Sequence, residues 1–366
     1  MSDNTDYGKF ILTFDPENPQ AHFKELGLTE LTLSPEALLP DAIPWPAKST
    51  PTGIPLASPF PETDDLSKFK GYDALVVTWT SAEAASLASL FTPGHPVSTW
   101  YEYRHNVNDY ITLVTGVNAP FNDPATDMRR YYHSMGLYFP CKIGNLKVLL
   151  FKSGLHLDFD GPAIPVKKLI AEIVQAVQPK VFITTGTGGA IGADVLLGDV
   201  IIATSVKFDC TRQFKNEPWK NAAFQTTILP AGVLEAITPD LTKVNAARVS
   251  GARSIPKMWT DSQSLIITTD FFAFDDSKDT YQLQGLGRVC DMGDAMVIST
   301  LQQFRNIQFF AVRNASDPQI PNPDNDIEKA AIESINIYNK YGALTTAASV
   351  VATWAIIETI LNNPKK

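Results

Sequence analysis

A run of glycine and hydroxyl residues, VFITTGTGGAIGADVLLGDVII at residues 181–202, has the spacing that most suggests backbone chemistry. An apolar strand feeding a glycine turn commonly presents N–H groups to a phosphate. Glycine reaches positive φ and lets a ligand approach the backbone closely. Two phosphate motifs are excluded by spacing. A Walker A loop needs lysine directly after its last glycine, whereas no lysine follows Gly192 before Lys207. A dinucleotide fingerprint needs GxGxxG opening a crossover helix. Here the sixth position is Ile191, and GDVIIATSV begins about six residues past Gly192, too soon for a helix. The spacing predicts a short strand-to-strand turn. Either the N–H groups of Thr187, Gly188 and Gly189 face a ligand, or the turn binds nothing.

The elements that would hold this turn alternate along the chain. DALVVTW (73–79) reads as a strand, SAEAASLASLF (81–91) as a helix and KVLLFKSG (147–154) as a strand. Pro165 starts a helix through VKKLIAEIVQAVQ, because proline at the first helical position forfeits no hydrogen bond, and PKVFITTG follows as a buried strand. Further strands are expected at 198–206, 264–272 and 307–316, with helices over 294–306 and about 326–361. This alternation predicts an α/β fold. Residues 1–65 differ: prolines at 40, 44, 46, 51, 55, 59 and 61 exclude helix and central strand. They predict an extended arm or lid, with the α/β domain spanning 66–366.

The chain has 366 residues, 44% of them hydrophobic, and a formal charge of −9 of mixed sign. No basic stripe is present to neutralise a nucleic-acid backbone or an anionic membrane surface. Cys141, Cys210 and Cys290 are odd in number and lack CxxC spacing, and no HxxxH pair occurs, so no disulfide framework, metal site or cofactor is expected. The polar, acidic start MSDNTDYGKF lacks a signal-peptide pattern, and a cytoplasmic location is expected. The apolar stretch 342–361 carries Glu358 and four threonines and reads as a buried core helix, with no membrane partner.

Beyond single motifs, the order of segments resembles the purine nucleoside phosphorylase and uridine phosphorylase superfamily, nearest its methylthioadenosine/S-adenosylhomocysteine nucleosidase-like branch. SGL (153–155), the following helix, PKVFITTGTGGAIG and LGDVIIAT carry the resemblance. ITTDFF (267–272) looks like the base-pocket strand, VCDMGDAMV (289–297) like the "MEXA" helix start, and VRNASDP (312–318) like the "RxxSD" motif. The likeness spans about residues 72–361 and omits the arm and the insertion HLDFDGPAIP (156–165). It implies a three-layer α/β/α sandwich around a mixed, partly barrel-like sheet, assembly as a homo-oligomer, and a small nucleoside-like ligand.

The resemblance also implies roles. Family enzymes break an N-glycosidic bond through a cation-like transition state. Asp317 stands where they keep the general acid, and a carboxyl serves there if burial raises its pKa; otherwise it caps the turn before Pro318. Glu83 aligns with the glutamate that activates water; its alternative is a solvated first-turn glutamate. Phe272 matches the base-stacking aromatic, with the Ala273 backbone beside the base edge and Met292 beneath the sugar.

Two departures stand out. Thr184 occupies the position of a phosphate-binding arginine, which favours water over phosphate as nucleophile unless Arg104, Arg129, Arg130 or Arg212 returns from a loop. Gly293 occupies the position of the glutamate that accepts both ribose hydroxyls. Asp294 follows it, but neighbouring helical residues point about 100° apart. The resemblance therefore implies a nucleosidase-type hydrolase, with a non-catalytic binding or storage member, a repurposed enzyme and a phosphorylase as alternatives. The aromatic and basic clusters 98–110 and 128–139, with His105 and His133, are expected to shape the pocket or to form a surface or subunit interface.

Overall fold

Ala74–Thr78 buries every side chain, and its residues alternate between two cores: Leu75 and Val77 on one face, Ala74 and Val76 on the other. A strand covered on both sides implies helices on both faces. In the computed structural model, which describes residues 11–12, 14–18, 39–58, 61–114, 135–157 and 161–362, they are there. The helices Pro165–Val177 and Asp294–Leu301 cover the first face, and Ser81–Phe91 and Ile327–Asn362 cover the second. The Pro165 helix buries Val166, Leu169, Ile170, Ile173, Val174 and Val177, the spacing of a single apolar stripe. The result is the expected three-layer sandwich.

Thirteen strands make one mixed sheet among the described residues. They are β1 (Pro51–Gly53), β2 (Ala74–Thr78), β3 (Tyr101–Tyr103), β4 (Gly136–Ile143), β5 (Leu146–Ser153), β6 (Val181–Ala190), β7 (Val200–Ile202), β8 (Ser205–Asp209), β9 (Ala223–Gln225), β10 (Met258–Trp259), β11 (Leu265–Thr269), β12 (Val289–Asp291) and β13 (Gln308–Asp317). The main path runs β1-β4-β5-β2-β6-β12-β11-β8-β9 and does not close. It forks at β6, which pairs in parallel with β2 and β13 and antiparallel with β12.

That fork corrects the reading of residues 186–189 as a turn. β6 continues as strand through TGTGGA to Ala190, and only then does the chain loop to β7. Three other boundaries move: 198–206 divides into β7 and β8, the strand expected at 264–272 ends at Thr269 and leaves Phe272 in the loop beyond it, and the helix expected over 294–306 ends at Leu301. The helix over 81–91 has the expected bounds.

The C-terminal helix runs 36 residues and is long and apolar enough to cross a membrane, yet 83% of its most apolar window is buried inside the protein. Its hydroxyls have local uses. Thr345 and Thr346 donate to the Gly342 carbonyl, Ser349 donates to Asn314 Oδ1, and the Thr353 hydroxyl bonds that of Thr185 on β6. Buried polar groups so matched cost little.

The described part of the proline-rich arm lies against this body. β1 is an edge strand on β4, Trp45 packs against Phe91 and Trp354, and the Ser49 carbonyl accepts from Trp354 Nε1. In the cluster 98–110, Trp100, Tyr103 and Tyr110 are core residues, and half-buried His105 bonds the Thr63 carbonyl instead of lining the cleft described below. His133, Arg129 and Arg130 lie outside the described residues.

Candidate active site

The tetrapeptide Thr80-Ser81-Ala82-Glu83 forms a capping box at the start of its helix. Thr80 accepts from the Glu83 N–H at 3.2 Å, and Glu83 accepts from the Thr80 N–H at 2.9 Å. A capping glutamate is usually wet. This one is only 2% exposed, because β6 passes directly beside it. Oε2 accepts from Thr78 Oγ1 (2.6 Å) and the N–H groups of Trp79 and Thr80 (2.9 Å each). Oε1 accepts from both the N–H and the hydroxyl of Thr187 at 2.7 Å, with Arg313 Nη1 at 3.7 Å. Burial alone would raise the Glu83 pKa, but Arg313 and these donors outweigh it and hold the carboxyl below its ordinary value. The solvated alternative for Glu83 is therefore excluded.

Gly186, at φ +151°, makes the approach possible: a Cβ there would overlap the Glu83 carboxyl group. Gly186→Ala is expected to cost at least about 3 kcal/mol of stability, since it must displace a buried, charged group. A urea unfolding midpoint within error of the parent protein would contradict this.

Arg313, on β13, binds Asp294 through Nε (2.9 Å) and Nη2 (2.5 Å), Asp291 through Nη2 (3.1 Å) and the Thr187 carbonyl through Nη1 (3.3 Å). Burial opposes its charge, but Asp294 and Asp291 outweigh burial and keep it protonated. Asp291 accepts from Thr268 Oγ1 (2.6 Å) and from the N–H groups of Gly293 and Asp294 (3.0 and 2.8 Å). Its pKa is raised, first by burial and then by Asp294.

At the other end of the same floor, a Cβ on Gly189 would lie 3.3 Å from Asp317 Oδ2. Asp317 accepts from Ser316 Oγ (3.0 Å) and from Ser334 Oγ of the C-terminal helix (3.1 Å). Burial, with no cationic partner among the described residues, pushes its pKa up to about 6. Gly186 and Gly189, three residues apart on one strand, set the two carboxylates' contact points about 10 Å apart.

Both carboxylates line one cleft of about 830 Å³ of empty space, mouth included. Thr187, Gly188, Gly189, Phe272, Ala273, Met292 and Gly293 line it too, so nine of the ten residues singled out from sequence converge. Asp294 does not line the cleft: it is fully buried and turned to Arg313, as the 100° offset from Gly293 requires. The Thr187, Gly188 and Gly189 N–H groups also differ from expectation. That of Thr187 is held by Glu83, and Gly188 and Gly189 lie in the ladders with β13 and β12.

Sequence reasoning gave no role to Trp79, His156, Asp291, Arg313, Ser334 or Tyr338, all of which line the cleft. Arg313 had a legible signal, since a cation inside the apolar strand FFAVRNAS needs a buried partner. His156 stacks on Phe272 at 5.6 Å and 16°, and burial depresses its pKa to about 3, which keeps the ring neutral. Ile11 and helix residues Ala331, Ile335 and Tyr338 line another side.

Among known proteins, the family model of the phosphorylase superfamily matches residues 106–343. A methylthioadenosine/S-adenosylhomocysteine nucleosidase from Neisseria meningitidis is similar in structure at 18% identity and TM-score 0.43, over 76% of this chain and 97% of that one. One from Colwellia psychrerythraea matches at 16% identity and TM-score 0.48, over 79% and 97% of the two chains. The futalosine hydrolase of Helicobacter pylori matches at 13% and 0.47, over 77% and 96%. No curated protein sequence matches significantly. With the model spanning well over half of the chain, including Thr187, Asp291, Arg313 and Asp317 but not Glu83, the chain belongs to the phosphorylase superfamily.

Proposed function

We propose that the cleft hydrolyses the N-glycosidic bond of a nucleoside-like small molecule. One observation carries this reading: a carboxyl group biased toward its protonated form and an ionised carboxylate–guanidinium cluster lie along one strand in one cleft. As the C–N bond breaks, its electron pair leaves with the base, and Asp317 supplies the proton that neutralises it, at N7 if the base is a purine. Glu83 remains ionised and stabilises the positive charge developing on the sugar. Water adds to the anomeric carbon from the Glu83 side. The Thr187 hydroxyl can rotate off Oε1 and leave it to accept the water's proton. Phe272 flanks the base.

Water fits this cluster better than phosphate does. Arg313 has its donors taken by Asp294, Asp291 and the Thr187 carbonyl, which leaves no open guanidinium edge for a phosphate dianion. Neither Arg104, paired with Glu62, nor Arg212, over the Phe271 ring, lines the cleft. A binding-only reading draws on the donors that already fill Glu83, which must release one before water can use it.

The test is incubation of the full chain with a nucleoside panel, 5′-modified and 2′-deoxy members included, with and without inorganic phosphate. Free base released without phosphate is the expected result; release only with phosphate overturns it. No turnover, with ligand affinity unchanged in Asp317→Asn and Glu83→Gln, selects the binding protein. Because Asp317 must be protonated, kcat/KM is expected to fall as pH rises through about 6. A profile flat from pH 5 to 8 would remove it from the acid role.

A further inference from the structure

Gly293 is the N-cap of the helix Asp294–Leu301, and a Cβ built on it would lie 2.9, 3.1 and 3.2 Å from Cζ2, Cη2 and Cε2 of Trp79. The indole therefore stands where any side chain at 293 would begin. It lines the cleft while 5% exposed, with the Arg313 guanidinium carbon 5.0 Å from its ring centroid. The glycine and the indole are thus two halves of one arrangement: a flat apolar ring fills the place that, by the resemblance, a carboxylate accepting a vicinal diol would take.

No other carboxylate in the cleft replaces that acceptor pair among the described residues. Glu83 receives five hydrogen bonds and the Arg313 contact, and the one oxygen that the Thr187 hydroxyl can vacate is the one the attacking water uses. Asp291 Oδ2 receives the Gly293 and Asp294 N–H groups and Arg313, and its Oδ1 receives Thr268. Asp294 is turned away, and Asp317 is held by two serines at the far end of the floor. A 2′ or 3′ hydroxyl brought against the indole would lose its water and gain no anionic acceptor, whereas a methylene there would gain contact.

Resting on the hydrolytic reading, we propose that Trp79 and Gly293 determine specificity, and that they select a deoxy-type nucleoside over the ribonucleoside of the same base. An apolar wall rejects an added hydroxyl by no more than about 100-fold, so discrimination of about 10- to 100-fold is expected.

The experiment compares adenosine, 2′-deoxyadenosine and 2′,3′-dideoxyadenosine, with the matching inosine and uridine series, by kcat/KM for base release and by calorimetric affinity. The parent protein is expected to favour the deoxy members at least 10-fold. Trp79→Phe keeps an aromatic ring and should hold most of that ratio. Trp79→Ala should reduce it, and Trp79→Ala combined with Gly293→Glu should turn it toward the ribonucleoside. Should either alanine variant fail to fold, the parent and Trp79→Phe ratios decide alone. Equal or reversed preference in the parent protein, or a ratio indifferent to Trp79→Ala in a folded protein, overturns the proposal. If no member is hydrolysed, affinity separates the two readings. Tighter binding of the deoxy members retains the specificity and sinks the hydrolysis; equal binding, or none, sinks the specificity.

Discussion

Asp317→Asn is expected to lower kcat by about 10²- to 10⁴-fold and, at pH 8, to make the protein more stable. Asp317 has a folded-state pKa near 6 against an ordinary value of 3.8, so the folded protein keeps a proton that the unfolded chain gives up. The stability that this proton represents is fully present below about pH 4. It is lost as pH rises through about 6 and stays lost above that. A gap of about two pKa units corresponds to about 2 to 3 kcal/mol. Asparagine carries no charge at any of these pH values and can still bond Ser316 and Ser334. Thermal unfolding of the two proteins should therefore nearly coincide at pH 4 and separate by a few degrees at pH 8, with the variant higher. A variant less stable at pH 8 would show that Asp317 is structural and ionised.

Glu83→Gln is expected to do the opposite to stability. Five donated hydrogen bonds converge on the two Glu83 oxygens, and a carboxamide must turn its NH₂ toward either the Thr78, Trp79 and Thr80 set or the two donors of Thr187. Donor then faces donor, and Arg313 loses one of its carboxylates. Breaking a buried charged network in this way costs about 3 to 5 kcal/mol. The midpoint of urea unfolding reads the effect, and base release should fall to background in the fraction that remains folded. A loss within about 0.5 kcal/mol, the usual range for a solvated surface residue, would refute this account of the cluster.

Much of the layering was legible because periodicity reports burial. ALVVT and the Pro165 helix advertise their faces, and the bounds of Ser81–Phe91 follow from Thr80 and Glu83 as cap and capping partner. The convergence of residues 83, 187–189, 272, 292–293 and 317 on one cleft was legible only through the order of motifs, since no local rule brings such distant segments together. The glycine run misled for a physical reason. Glycine is rare inside strands, and its use at 186 answers a buried carboxylate 103 positions earlier in the chain, not a turn. Trp79 and Ser334 escaped notice because each looks ordinary in its own element; only the Cβ direction at Gly293 and the reach to Asp317 give them meaning.

The fork at β6 has a dynamic consequence. A ligand floor built as a loop opens easily, whereas Val181–Ala190 is hydrogen-bonded to three neighbouring strands at the centre of the sheet. Its amides should be among the last to exchange with solvent deuterium, released only when the whole domain unfolds. Accommodation of different guests must then come from the rim, where Ile11 and the first turns of the C-terminal helix meet the cleft, while the centre serves as a fixed anvil.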